Sequence, residues 1–331
     1  AITVAAAAFP EWSSHSASER KVFLDRFAEE IGKRADAFCQ LESNDAGVLL
    51  SRMRHGVVPR SMLNITYFAE HALELQDRPI DTDHAHHIVR HDPAGIAAII
   101  TPWNAPLMLG TWKLGPALAA GNTVIIKPPE WAPLTMSLLA DCADAAGLPP
   151  GVLNIVQGHG TTTGARLVSD PRIARISFTG SVPTARKIAQ VAGANLVPVS
   201  LELGGKSPFI VLEDADIDSA AATGALMYRN AGQVCLAGTR FLVNEKVEEP
   251  FTAAMRGYVE KLRIGDPRDD ATEIGPIIHP RQVERVTGFV DRAVELGAQV
   301  LWGGKPHPFG AQYYSPTMLT NVGQDDEIVQ N

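Results

Sequence analysis

Cys235 closes the run Gly232, Gln233, Val234, Cys235, between a small apolar stretch, Ala220 to Met227, and a strand-like run, Phe241, Leu242 and Val243. A cysteine with its ordinary pKa of about 8.5 is only a few per cent thiolate near neutral pH, yet that fraction is a strong nucleophile. Gly232 and Gly238 bracket the thiol with flexible backbone, which predicts a supported loop where covalent chemistry tends to sit. The other reading of an unpaired cysteine is a small buried hydrophobe. The surrounding elements have to decide.

Further reactive groups collect where short β-branched runs stop. Thr101, Pro102, Trp103, Asn104, Ala105 and Pro106 form a turn stiffened by two prolines. It offers the Asn104 amide either as a neutral donor to an oxyanion or as an ordinary Asn turn. Lys127, Pro128, Pro129 and Glu130 hold a cation and a carboxylate on a stiff turn, apt for ribose hydroxyls or else a solvated charge pair. Gly158, His159 and Gly160, followed by Gly164, miss the dinucleotide fingerprint by one extra residue. Phe178, Thr179, Gly180 and Ser181 precede a helix, where backbone N–H groups and a hydroxyl suit a phosphate. Glu202 lies between two leucines in Val199 to Lys206, ahead of Gly204 and Gly205. It is either surface-facing or a partly desolvated general base with a raised pKa, and strand alternation leaves both open.

The elements that must position these groups follow from periodicity. Strands are predicted over 96–101, 123–127, 152–156, 175–179 and 197–203, alternating with helices over about 106–120, 134–147, 162–169 and 182–192. Such alternation, with near-continuous apolar strands, predicts a parallel, doubly wound α/β sheet that binds ligands at the carboxyl ends of its strands. Pro106 fits a first helical turn, and Gly147 with Pro149 fits a stop. Upstream, Val22, Phe23, Phe27, Ile31, Ala35 and Phe38 predict an amphipathic helix over 17–42, and a second covers about 60–76. Residues 78–93 read as a protruding strand pair. Its Asp81, Asp83, His84, His86, His87 and His91 invite a metal, but neighbouring strand residues face opposite sides, so a solvated strand and no metal is expected. After Gly205 the pattern restarts with a strand over 209–212, a helix over 217–229, the thiol loop, a strand over 240–244 and helices over 247–262 and 280–296. The predicted organisation is a nucleotide-binding domain of 1–77 with 94–203, bridging strands at 78–93, and a thiol domain at 204–331.

Composition bounds the function. With 331 residues, 45% of them hydrophobic and 20% charged, the chain can build two cores. A net charge of −8 without a Lys/Arg-rich block argues against nucleic acid and anionic membrane as partners. No run approaches the roughly 18 apolar residues of a membrane span. The stretch Ala1 to Phe9 lacks the basic start of a signal peptide. Cys39, Cys142 and Cys235 are too few and scattered for a disulfide framework or zinc site, so a reducing cytoplasm is expected.

Taken together and in this order, Pro102–Pro106, Lys127–Glu130, Phe178–Ser181, Leu201–Lys206 and Gly232–Cys235 closely resemble the aldehyde dehydrogenase superfamily. The resemblance runs through nearly the whole chain and implies an NAD-binding Rossmann-like domain beside a catalytic domain. It implies that Cys235 attacks an aldehyde carbonyl, that Asn104 and the Cys235 N–H hold the oxyanion, and that Glu202 activates the water that hydrolyses the thioester. It assigns the dinucleotide path to Thr101, Pro102, Trp103, Lys127, Pro129, Glu130, Gly160, Gly164, Phe178, Thr179, Gly180, Ser181, Leu203 and Gly204. Glu130 would accept a ribose 2′-OH and repel a 2′-phosphate, favouring NAD over NADP. Leu109, Trp112, Val234 and Leu236 resemble the aldehyde tunnel lining. The run Thr101 to Trp112 resembles branches that oxidise semialdehydes in aromatic-compound breakdown, although no arginine committed to a substrate carboxylate is evident nearby.

The resemblance further implies a homodimer or homotetramer. The Glu202 to Cys235 interval is about one residue shorter than the family's commonest spacing. The chain reads as a fragment, starting inside the family's first domain and stopping before its Glu-x-Phe-Gly-Pro stretch. Two rival functions use the same residues: a thiol esterase or acyl transferase without redox chemistry, and a non-catalytic structural relative or inactive fragment.

Overall fold

A computed structural model describes every residue except Gln76. The chain divides into two compact units, 1–45 with 52–203 and 46–51 with 204–331.

In the first unit, β1 (Arg78–Thr82) and β2 (Ala85–Val89) form an antiparallel hairpin whose ten residues are all exposed. The remaining strands are β3 (Ile96–Ile100), β4 (Thr123–Lys127), β5 (Leu153–Ile155), β6 (Ile173–Gly180) and β7 (Val199–Leu203). They pair in parallel, as the alternating pattern predicts, and their order in the sheet is β5-β4-β3-β6-β7. From β3 the chain winds outward to β4 and β5, then crosses back to β6 and β7. The switch in direction therefore falls between β3 and β6, where a doubly wound sheet opens a crevice at its carboxyl edge. Apolar residues on β3, β4 and β6 (Ile96, Ala98, Ile125, Ile176) share a core with Leu167, Val168, Ala185 and Ile188 from the following helices.

Two helical predictions change. The helix expected over 17–42 breaks at Arg34 into Ala17–Lys33 and Ala35–Ala46, because the Arg34 N–H turns back to Ile31 in a tighter i→i−3 bond. The one expected over 60–76 runs Val58–His71 and tightens into a 3₁₀ turn at Ala72–Glu74, its predicted end lying outside the described residues. Helix Val58–His71 packs against Pro106–Ala119, with the buried Asn64 amide donating to Met108 O at 3.1 Å and Thr111 Oγ1 at 3.2 Å. The contact is close because Gly115 has no side chain: a Cβ there would stand 2.8 Å from the Asn64 carbonyl oxygen. Gly115→Ala is accordingly expected to lower unfolding stability by about 1–3 kcal/mol. Gly193→Ala, in a helix with nothing within 4 Å, should raise it by about 0.5–1 kcal/mol. Urea denaturation of the two variants checks the pair of signs.

In the second unit β8 (Pro208–Val211) pairs in parallel with β9 (Arg240–Val243), over a core of Val211, Ala221, Ala225, Phe251 and Met255. The helix expected over 217–229 stops at Ala225. Its continuation, Leu226–Gly232, is 3₁₀-like and kinks where Arg229 turns extended and Asn230 and Ala231 both take φ of 54°. Leu226, Met227 and Tyr228 keep the run apolar past the helix end, so periodicity alone reads straight through the kink. An antiparallel pair, β10 (Gln299–Trp302) with β11 (Met318–Thr320), was not anticipated, since its short strands are separated by a long irregular connection. Among the described residues no helix is long and apolar enough to cross a membrane.

Candidate active site

Parallel pairing carries the sequence motifs of the first unit to one edge of the sheet. Ile100 lies opposite both Lys127 and Phe178, Thr179 opposite Glu202, and Gly180 opposite Leu203. The turns at 101–105, 127–130 and 180–181 therefore leave the sheet side by side. Thr101 and Pro102 are buried, while Trp103 and Asn104 are half-buried in the turn that feeds helix Pro106–Ala119. Trp103 meets Trp131 at 6.2 Å between ring centroids.

Lys127 ends β4 with only 2% of its side chain exposed. Its Nζ donates to Pro128 O at 2.7 Å and stands 3.5 Å from Glu130 Oε1. Burial pulls the ammonium below the usual lysine range and Glu130 partly restores it. Burial would push the Glu130 carboxyl up, but backbone N–H groups at Glu130 and Gly160, together with Lys127, outweigh it and hold it below the carboxylate norm. The pair is thus preformed at the carboxyl edge. Gly160 serves it directly by donating its N–H to Glu130 Oε1. Gly164 is buried against the Lys127 stem. The glycine cluster behaves here as packing around an ion pair, and Gly158 is the position that needs its hydrogen, since a Cβ would fall 2.1 Å from Thr163 Oγ1.

Phe178 is buried, and its ring explains Gly180, where a Cβ would come within 2.5 Å of it. Ser181 is the N-cap of helix Val182–Ala194, but its hydroxyl meets Thr184 Oγ1 at 3.0 Å and does not cap the backbone. Thr101 Oγ1 and Thr179 Oγ1 are buried without a hydrogen-bond partner among the described residues. An uncapped helix start, the kind of place that suits an anion, thus stands on the same sheet edge as the carboxylate–ammonium pair.

Glu202 is exposed on β7. Leu203 beside it is half-buried and Gly204 exposed. One neighbour escaped the sequence reading. Lys113, two turns into the helix after Asn104, donates to Ser177 Oγ at 2.9 Å. Burial pulls its pKa down and the Glu202 carboxylate pushes it back up. A lysine on the buried side of an apolar helix was the available signal. Leu109 is half-buried and Trp112 is 44% exposed. Arg60 lies over the Trp112 ring, 5.2 Å from its centroid, and its Nε donates to Asn64 Oδ1 at 3.1 Å. An arginine does stand near the expected tunnel lining, brought there from a helix about fifty residues upstream.

In the second unit Cys235 is exposed, whereas Cys39 and Cys142 are buried. Burial raises the Cys39 thiol and pushes Cys142 up to about 11. The buried-hydrophobe reading thus fits the other two cysteines. Gln233 fastens the loop two residues before the thiol: its Nε2 donates to Asn230 O at 2.9 Å and its Oε1 accepts the Ile278 N–H at 3.0 Å. Gly232 has a φ of +74°, completing the left-handed run begun at Asn230. Val234 is half-buried and Leu236 is 76% exposed. Among the described residues, none of the backbone bonds that close this loop uses the Cys235 N–H.

The histidines of the hairpin stay exposed, with His86 Nδ1 on Asp81 Oδ1, and among the described residues no group of three or more His, Cys, Asp or Glu could hold a metal ion.

A model of the aldehyde dehydrogenase family matches residues 1–331. Human 2-aminomuconic semialdehyde dehydrogenase is 40% identical over 334 residues, covering 97% of this chain and 68% of that protein. Among solved structures, PnpE in complex with nicotinamide adenine dinucleotide is 37% identical, with a TM-score of 0.95 over 99% of this chain and 68% of its own. An NAD+ complex of an aldehyde dehydrogenase from Bacillus cereus is 33% identical, with a TM-score of 0.96 over 100% of this chain and 68% of that one.

Proposed function

The chain belongs to the aldehyde dehydrogenase family, and from that premise we propose that Cys235, Asn104 and Glu202 carry the oxidation of a carboxylate-bearing semialdehyde to the acid, with NAD favoured as hydride acceptor. That the chain is an NAD(P)-dependent oxidoreductase acting on aldehydes follows from the family itself. The observation that supports the assignment of residues is the exposed thiol of Cys235, set apart from two buried ones.

The Cys235 thiolate attacks the carbonyl carbon, forming a C–S bond and moving the carbonyl electrons onto oxygen. That oxyanion takes hydrogen bonds from the Asn104 side-chain amide and the Cys235 backbone N–H. NAD would supply the acceptor for the hydride of the thiohemiacetal carbon. Lys127 and Glu130 would hold the adenosine ribose, and the start of helix Val182–Ala194, with Ser181, would face the phosphates. Glu202 takes a proton from water, whose oxygen attacks the thioester carbon. The C–S bond breaks, the acid leaves and the thiolate is restored. Burial pulls the Lys113 pKa down and the Glu202 carboxylate pushes it back up, so the two groups are electrostatically linked.

Two observations support the semialdehyde: Arg60 poised over Trp112, and the name of the human relative. Arg60→Ala is expected to raise KM for aldehydes bearing a carboxylate by about 10–100-fold, the worth of a charged hydrogen bond, and to leave uncharged aldehydes unchanged. NADH formation across aromatic, aliphatic and carboxylated aldehydes measures both. No signal from any of them sinks the whole reading, and equal losses for charged and uncharged aldehydes sink the role of Arg60. The reading extends to a homodimer or homotetramer joined through the exposed 78–93 strand pair, in a reducing cytoplasm that suits three unpaired thiols.

A further inference from the structure

Glu42 has no part in the steps above, yet it is fully buried on helix Ala35–Ala46. Its Oε2 accepts the Leu107 N–H at 3.2 Å. That donor is the first one helix Pro106–Ala119 has, because Pro106 carries no N–H, and the N-cap, Ala105, supplies no side-chain acceptor. One turn further along the same helix, Asp45 Oδ2 accepts the Leu134 N–H at 2.9 Å at the start of helix Leu134–Ala145. A single helix therefore supplies carboxylates to the starts of two others. One of those follows the Asn104 turn, and the other follows the Lys127–Glu130 turn.

We propose that Glu42 is a positioning residue: its carboxylate anchors the start of helix Pro106–Ala119 and thereby fixes the turn that presents Asn104. The inference rests on the reading of Asn104 as the oxyanion donor. A helix start carries partial positive charge, and an anionic acceptor there is favourable, the more so away from water. With Glu42 gone, the Leu107 N–H would be buried without its partner and the three residues back to Asn104 would lose their fixed end. Displacing a catalytic donor by an ångström is enough to cost about 10²-fold in rate.

The charge state of the anchor is itself sensitive to pH. Burial pushes the Glu42 carboxyl up to about 7, against the Leu107 N–H that favours its ionised form. The other groups that face it are Thr135, Asp45, which raises it further, and Arg52, which lowers it. Two signs follow. The anionic anchor is present above about pH 7 and is neutralised below it, so the rate falls on acidification. Stability moves the other way: a carboxyl raised from 4.5 contributes stability that is fully present below about pH 4.5 and lost as pH rises through about 7.

The test compares Glu42→Gln, which keeps an acceptor without charge, with Glu42→Leu, which has none. Glu42→Leu is expected to lower kcat by about 10-fold or more with KM for NAD unchanged, and to speed amide exchange across 101–111. Glu42→Gln, neutral at every pH, is expected to hold kcat at a level between that of Glu42→Leu and the wild-type plateau above about pH 7, and so to lose the acid limb there. Unchanged kcat and exchange in a folded Glu42→Leu variant, or an acid limb that persists in Glu42→Gln, overturns the proposal. If Glu42→Leu does not fold, the pH profile of Glu42→Gln decides alone. Asn104→Ala run in parallel separates the two levels. An unchanged kcat there defeats the oxyanion reading, while amide exchange in Glu42→Leu still tests the anchor.

Discussion

Cys235→Ala is expected to abolish aldehyde oxidation, by about 10⁴–10⁶-fold in kcat, while leaving NAD binding intact. No other thiol can take over. Cys39 and Cys142 are enclosed in the first unit, and burial raises both above the usual thiol range. Iodoacetamide should therefore alkylate the native chain at a single cysteine, with activity falling in proportion to label. The measurement is steady-state NADH formation by wild type and variant, beside NAD affinity by fluorescence titration. A variant that oxidises aldehydes within tenfold of wild type would transfer the covalent role elsewhere. Loss of NAD binding would show instead that the loop around Cys235 supports the fold.

Glu202→Gln should produce a different failure. The side chain keeps its shape on β7 but can no longer take a proton from water, and losing a general base costs about 10²–10⁴-fold. Because the block falls after thioester formation, rapid mixing should reveal up to one equivalent of NADH per thiol before turnover slows. A slow steady state without that burst would place Glu202 before the hydride step, in activating the thiol. An unaffected steady state would remove it from the chemistry.

Much of this site is legible because its residues lie where strands stop, and stops are local signals. The apolar run from Thr123 to Ile126 meets a lysine and two prolines within three residues, so both the strand and its functional end announce themselves. The same locality sets the limit. Alternation along Val199–Leu203 marks a strand but not the side that Glu202 takes, which depends on what packs against β7. Arg60 and Glu42 reach the site through contacts between helices, at sequence separations of 52 and 65 residues, and nothing beside them in the chain predicts a partner. The kink at Arg229–Ala231 is hidden for another reason: the small apolar residues before it suit a helix equally well, and tertiary contacts override that preference.

The left-handed run before the thiol bears on how natural variants of this enzyme should be interpreted. Asn230, Ala231 and Gly232 take φ of 54°, 54° and 74°. Asparagine and glycine adopt that region readily, whereas alanine gives up about 1–2 kcal/mol to do so. Drift at 231 toward glycine or asparagine is therefore free of backbone penalty, while valine, isoleucine and threonine are excluded whatever the aldehyde. Differences among homologues at 230–232 will record the chirality of the chain and carry little information about which substrate each enzyme prefers.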